Sequence, residues 1–275
     1  MGDCVAIIEN DGAGIYWDEI GRGEPLLLIN GLGTTSHFWH RSRPVFAAAY
    51  RTIAMDNRGV GQSGAPPGIY SIPLMASDAI AVLNAAGIEE AHVFGVSMGG
   101  MIAQELALQH PRRVRSLILG CTSAGDPMGP HAVQPAPDAL FMLMRQDLAP
   151  AQADEAAVPY LYHAATARKR IDEDMAVRMK WRPTAQGYMA QLQGVSGWDA
   201  YGRLAEIVAP TLLVHGEADR LIPPENARIL ASRISGSKLD VLADAGHIFW
   251  TDQPGATHAA ILAFLGSLPR RWEPV

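Results

Sequence analysis

Between Ala91 and Gly100 the chain reads Ala-His-Val-Phe-Gly-Val-Ser-Met-Gly-Gly, and no other stretch restricts its fold as strongly. Val93 and Phe94 form a short apolar run, and Met101-Ile102-Ala103-Gln104-Glu105-Leu106-Ala107-Leu108 follows with apolar residues at helical spacing. The pattern predicts a strand, a sharp turn with Ser97 at its apex, and a helix. Gly95 and Gly99 stand two residues either side of the serine, where a Cβ would run into the closely apposed strand and helix. Such a turn lifts a hydroxyl clear of a sheet edge and aims backbone N–H groups at whatever that hydroxyl attacks. The same five letters also occur in glycine-rich loops without chemistry. The reading therefore depends on whether the rest of the chain provides a base, an acid and oxyanion donors.

The surrounding pattern supplies a scaffold. Short β-like runs at Val5-Ala6-Ile7-Ile8 and Ile15-Tyr16-Trp17 flank a glycine-containing turn, which predicts an opening hairpin. A continuous apolar run follows at Leu26-Leu27-Leu28-Ile29, and further strands are expected at Thr52-Ile53-Ala54-Met55, residues 114–119, Thr211-Leu212-Leu213-Val214 and residues 239–242. Helical patterns over about 73–86, 224–234 and 254–268 alternate with them. Strands apolar on both faces, alternating with helices, predict an α/β architecture with a mostly parallel sheet sandwiched by helices. Residues 123–203 differ in character. They hold no buried-strand run, but show helical windows over 138–148, 153–165 and 170–181. They also hold six of the eleven methionines: Met128, Met142, Met144, Met175, Met179 and Met189. We read residues 123–203 as a helical cap inserted into a core formed by residues 1–122 and 204–275. Unbranched methionines adapt to a ligand as readily as they pack helices together. Met142, Met144, Trp181 and Ile248 are the expected pocket-lining residues.

Composition excludes several classes. The 275 residues carry a net charge of −6, which suggests no nucleic-acid or anionic-membrane partner. No apolar run approaches the roughly 18 residues of a membrane span. The N-terminus lacks the basic and apolar regions of a signal peptide, and two cysteines are too few for a disulfide framework. A reduced, cytoplasmic setting is the expectation. The run Gly59-Val60-Gly61-Gln62-Ser63-Gly64 matches a dinucleotide fingerprint in letters. That fingerprint needs a helix to begin at once, and Ala65-Pro66-Pro67-Gly68 predicts a turn instead. Metal-ligand spacing and a phosphate-loop lysine are absent, so no metal and no cofactor is expected.

A serine hydroxyl needs a base to take its proton, and the base needs an acid to orient it and support its charge. Nine histidines compete. His247, in Asp244-Ala245-Gly246-His247, follows the last predicted strand on a loop near the end of the chain, after the serine, as the Ser, acid, His order requires. Asp219 follows the strand ending near His215, at the sheet edge where ligand sites of such sheets gather, and is the expected acid. Glu217 lies nearer the strand, and Asp126, after the preceding strand, is the competitor. The oxyanion donors are expected to be the N–H groups of Met98, after the serine, and of Leu32, in the glycine-flanked loop after Leu26-Leu27-Leu28-Ile29.

With these residues placed, the chain resembles the capped α/β-hydrolases over nearly its whole length. The resemblance rests on Gly95-Val96-Ser97-Met98-Gly99-Gly100, Asp56-Asn57-Arg58-Gly59-Val60-Gly61-Gln62-Ser63, His215-Gly216-Glu217-Ala218-Asp219 with Pro223, and Ala245-Gly246-His247. It implies an eight-stranded sheet with strand 2 antiparallel, a site beneath the cap, and Ser97, Asp219 and His247 as a catalytic triad. Asn30-Gly31-Leu32-Gly33-Thr34 is also similar to the Asn-x-Leu-Gly-Thr of 3-oxoadipate enol-lactonases, as is residues 111–119. The substrate of that branch carries a carboxylate, which implies a cap cation such as Arg145, Arg178 or Arg182 facing the pocket. Serine at the elbow argues against a haloalkane dehalogenase, which needs an aspartate there. The expected function is hydrolysis of a small, largely apolar carboxylic ester or lactone through an acyl-enzyme on Ser97, as in a carboxylesterase or lactonase. Carbon–carbon bond hydrolases, perhydrolases and acyltransferases use the same triad. A slow-turnover ligand sensor is the rival from another class.

Overall fold

The apolar runs form strands because each has two faces to bury. In the computed structural model, which describes residues 4–126, 128–144 and 150–269, eight strands join one sheet in the order β1-β2-β4-β3-β5-β6-β7-β8. They are β1 (Cys4–Asn10), β2 (Ala13–Ile20), β3 (Pro25–Ile29), β4 (Arg51–Met55), β5 (Ala91–Val96), β6 (Val114–Gly120), β7 (Thr211–Gly216) and β8 (Lys238–Leu242). β2 runs antiparallel to both of its neighbours, and every pair from β4 to β8 is parallel. Leu27, Ile29, Val93, Leu117 and Leu213 point into one apolar cluster, while Leu26, Leu28, Phe94, Ile118 and Leu212 point into the other. That alternation is the period of two of a strand covered on both faces.

Helices supply the two covers. The short α1 (Arg43–Ala47) places Phe46 in the second cluster. α2 (Ile72–Ala85) starts where the Ser71 hydroxyl accepts the Leu74 N–H and Pro73 occupies the first turn; with α3 (Met98–Gln109) it covers the first face. The helix that follows Gly59-Val60-Gly61-Gln62-Ser63-Gly64 in the chain thus begins only at Ile72.

Among the described residues four α-helices fall between β6 and β7: α4 (Pro137–Met144), α5 (Pro150–Leu161), α6 (Arg168–Lys180) and α7 (Ala185–Val195). The 138–148 window lies partly outside the described residues, and the 153–165 window ends early, at Leu161. The helix α7 has no counterpart among the sequence windows. It is capped by Thr184, whose hydroxyl accepts the Gly187 N–H at 3.0 Å. Then come α8 (Glu225–Arg233) on the first face, and α9 (Phe249–Asp252) and α10 (Pro254–Gly266) on the second. No helix among the described residues is long and apolar enough to cross a membrane.

Candidate active site

The parallel register sets the site. Val96 pairs with Gly120 and Gly120 with Val214, so Ser97 and Cys121, which follow β5 and β6, and His215, near the end of β7, stand in one row at the carboxyl edge of the sheet. Ser97 has φ 56° and ψ −124°, a backbone region that costs an L-residue about 1–3 kcal/mol. Its surroundings hold it there. Its N–H donates to Gly120 O at 2.9 Å, and its carbonyl accepts from the Thr122 hydroxyl at 2.7 Å and from Gly100 N at 2.9 Å. The flanking glycines are sterically required: a Cβ on Gly95 overlaps the Gly99 carbonyl, and one on Gly99 overlaps the Ile29 carbonyl.

His247 and Asp219 meet behind this turn. His247 Nδ1 lies 2.8 Å from Asp219 Oδ2, and both residues are buried. A carboxylate only accepts, so Nδ1 carries the proton, and the lone pair of the neutral ring is on Nε2. The other carboxylate oxygen, Oδ1, accepts the N–H groups of Leu221 and Ile222, both at 2.9 Å. His215 Nε2 donates to Ile222 O at 2.7 Å and stands 3.2 Å from Asp219 Oδ2. Burial alone would raise the Asp219 pKa. The His247 and His215 rings outweigh it and hold the carboxyl well below the usual range. Burial likewise opposes charge on His247, yet the Asp219 carboxylate lifts that histidine well above 6.5.

Cys121 ties the two halves together. Its fully buried thiol lies beside the His247 ring and the Ser97 backbone, so the serine and the histidine flank one sulfur. Burial pushes this thiol up, which keeps it protonated at neutral pH. The competing acid is engaged elsewhere: Asp126 accepts from Met128 N and Gly197 N, both at 2.9 Å. Glu217 is exposed.

Leu32 lies in the loop after β3, and Met98 is the first residue of α3. Gly31 packs directly on the serine, since a Cβ there would sit 3.0 Å from Ser97 Cβ. The loop is fastened on all sides. Asn57 Nδ2 donates to Asn30 O at 3.0 Å, Thr34 Oγ1 donates to Gly31 O at 2.9 Å, and Gly33 N donates to Gln191 Oε1 at 2.9 Å. Among the described residues, the N–H groups of Leu32 and Met98 donate to no protein acceptor.

The expected pocket residues separate. Trp181, at the end of α6, stacks on His37 with ring centroids 4.1 Å apart and borders a small cavity with Gly33, Thr34, Phe38 and Arg178. Ile248 is buried in the apolar cluster with Phe249 and Trp250, its N–H donating to Leu161 O at 2.8 Å. Met142 is half-buried on α4, and Met144 is the last residue of that helix. Of the other methionines, Met175 is buried in the core cluster, while Met128 and Met179 are exposed. Arg178 and Arg182 both reach the buried Asp154 of α5, Arg178 at 3.5 Å; Arg145 lies outside the described residues.

Among the described residues no cluster of histidine, cysteine or carboxylate side chains could hold a metal. Sequence reasoning missed Cys121, His215 and Gln191. The first two had a signal, each being the residue that ends or follows a doubly buried run. Gln191 had none, because its partners are more than 130 residues distant in the chain.

Strand order, elbow and acid–base pair together are those of one class, and the chain belongs to the alpha/beta hydrolase fold family, whose model matches residues 24–254. It is 31% identical to a putative carbamate hydrolase, RutD, of Azorhizobium caulinodans, over 93% of this chain and 96% of that one. It is 32% identical to a poly(3-hydroxyalkanoate) depolymerase of Ectopseudomonas oleovorans, over 88% of this chain and 84% of the relative. Among solved structures, Est816, described as an N-acyl homoserine lactone degrading enzyme, superposes with a TM-score of 0.82 at 30% identity, over 94% of this chain and 99% of the other.

Proposed function

We propose that the protein is a cofactor-independent serine hydrolase of small carboxylic esters or lactones, with Ser97, His247 and Asp219 as its triad. The observation that carries this reading is the strained Ser97 turn facing, across Cys121, a histidine whose Nδ1 proton is held by a buried carboxylate. Ser97 Oγ attacks the carbonyl carbon while His247 Nε2 takes its proton. The oxyanion forms between the N–H groups of Leu32 and Met98, and the C–O bond breaks as His247 returns the proton to the leaving alkoxide. Water then attacks the acyl-enzyme by the same base, releasing the acid and restoring Ser97. In a lactone the leaving alcohol stays tethered to the acyl group, and ring opening is the first half of the same sequence. The depolymerase and lactone-degrading relatives support ester and lactone substrates.

A carbamate is the second reading, favoured by the RutD relative. The pairing of Arg178 and Arg182 with Asp154 argues for a substrate without a carboxylate over the charged one that the enol-lactonase likeness implies. The test is turnover of p-nitrophenyl butyrate, γ-butyrolactone derivatives and an aryl carbamate by wild-type protein and by Ser97→Ala. Ester turnover is expected to fall by at least about a thousandfold in the variant, with an unchanged circular dichroism spectrum. Ester turnover that survives Ser97→Ala overturns the mechanism, and turnover of the carbamate alone replaces the substrate class.

A further inference from the structure

Gln191 is a fully buried polar side chain in the middle of α7, and both ends of its amide are used. Oε1 accepts the Gly33 N–H at 2.9 Å, and Nε2 donates to Arg58 O at 2.8 Å. The two backbone partners fix which end is which, since an N–H only donates and a carbonyl only accepts. Gly33 is the neighbour of Leu32 in the loop that packs on Ser97. Arg58 O belongs to the turn after β4, which is itself anchored: the buried Arg58 guanidinium grips Asp78 through two bonds of 2.7 Å, and the adjacent Asn57 holds Asn30 O. The amide therefore bridges a rigid turn and the loop that presents the Leu32 N–H. It also takes up the Gly33 N–H, next in the chain to that of Leu32.

We infer that Gln191 is a positioning residue for the oxyanion hole, acting from the helical segment between β6 and β7 on the Leu32 N–H. The inference rests on the serine-hydrolase reading above. A side chain that only helped pack α7 would contribute to stability and leave the reaction untouched. One that positions an oxyanion donor affects the tetrahedral species more than the bound ester, because displacing a donor by about 1 Å weakens its bond to the developing charge.

Three variants separate the two roles. Gln191→Met keeps the volume and removes both bonds. Gln191→Glu keeps an acceptor for the Gly33 N–H. Gln191→Asn keeps the amide but withdraws it by one methylene, and carries the expectation of the methionine variant should that protein fail to fold. The measurements are kcat and KM for p-nitrophenyl butyrate, the affinity for phenylboronic acid as a tetrahedral adduct, and the melting temperature. Gln191→Met is expected to lower kcat by about 10- to 100-fold with KM within about threefold of wild type. Boronate affinity is expected to fall in parallel, with Gln191→Glu recovering at least half of the loss on a logarithmic scale. A folded Gln191→Met with wild-type kcat and boronate affinity but a lower melting temperature overturns the inference, as does Gln191→Glu proving no better than Gln191→Met. Ester turnover that does not depend on Ser97 overturns instead the reading on which the inference rests.

Discussion

At the scale of single residues, the proton on His247 is the most informative quantity. Burial disfavours the charged ring, and the Asp219 carboxylate at 2.8 Å more than compensates, so His247 holds its proton at a higher pH than a free histidine does. In the proposed mechanism it is the base and must be neutral. Activity therefore falls as the pH drops through a value above the ordinary 6.5, and kcat/KM against pH is the measurement. Asp219→Asn removes the compensating charge: the inflection is expected to move down by at least about one pH unit and kcat to fall by about 10³–10⁴. A wild-type inflection below 6.5 contradicts this account. The proposed triad, Ser97, Asp219 and His247, could be picked out one by one in the sequence because each sits just past a run that had to be a strand. Cys121 follows such a run too, but nothing in its own neighbourhood of sequence says that the sulfur lies beside His247, some 126 residues further on.

At the scale of elements, legibility followed burial. β3 to β7 were readable because both of their faces are covered, which leaves short, mostly apolar stretches. The helix α7 was not readable, for it reads Ala-Gln-Gly-Tyr-Met-Ala-Gln-Leu-Gln-Gly-Val, with two glycines and three glutamines. Those glycines are there for close backbone approach, Gly187 packing against the backbone of Gly59 and Gly194 against that of Tyr70. A pattern search sees only helix breakers, while the fold uses them to bring the helix onto the loops that flank the serine. Within β5, His92 is fully buried, its Nδ1 2.7 Å from the Ser116 hydroxyl on β6, and burial lowers its pKa to about 4. The unfolded chain takes up that proton near pH 6.5 and the folded chain only near 4. The unfolded state thus binds more protons between those values, and stability falls as the pH drops through that window. Melting temperatures at pH 7, 5.5 and 4.5 are expected to decline more steeply in wild type than in His92→Asn, which has no such proton to bind. Parallel declines would remove His92 as the cause.

At the scale of the whole molecule, two buried carboxylates join the helical segment between β6 and β7 to the sheet, and they act on different parts of it. Asp174 on α6 lies beneath the surface with Arg41 Nε at 3.1 Å, the Thr251 hydroxyl at 2.7 Å and the Tyr162 hydroxyl at 3.1 Å. Among the described residues none of these partners is hydrogen-bonded to Ser97, His247 or Asp219. Asp252, at the end of α9, accepts from the Thr166 hydroxyl at 2.5 Å and from His163 N at 3.1 Å, and with the same carboxylate from Gly246 N at 2.7 Å. Gly246 precedes His247, so this carboxylate fastens residues 163–166 and the histidine loop to each other. Removing either acid leaves buried donors unpaired, and each alanine variant is expected to lose about 2–4 kcal/mol, or roughly 5–15 °C in melting temperature. Their effects on the reaction should differ. Asp174→Ala, assayed at 25 °C while still folded, is expected to keep kcat within about threefold of wild type, since the bonds it breaks reach none of Ser97, His247 and Asp219 directly. Asp252→Ala is expected to lower kcat by about tenfold or more, because the loop that carries the base loses its anchor and the near-attack geometry loosens. Calorimetry and steady-state kinetics on the pair decide the matter. Equal losses of kcat would mean that the helical segment moves as one body with the histidine loop, and equal retention would mean that Asp219 alone suffices to hold the base.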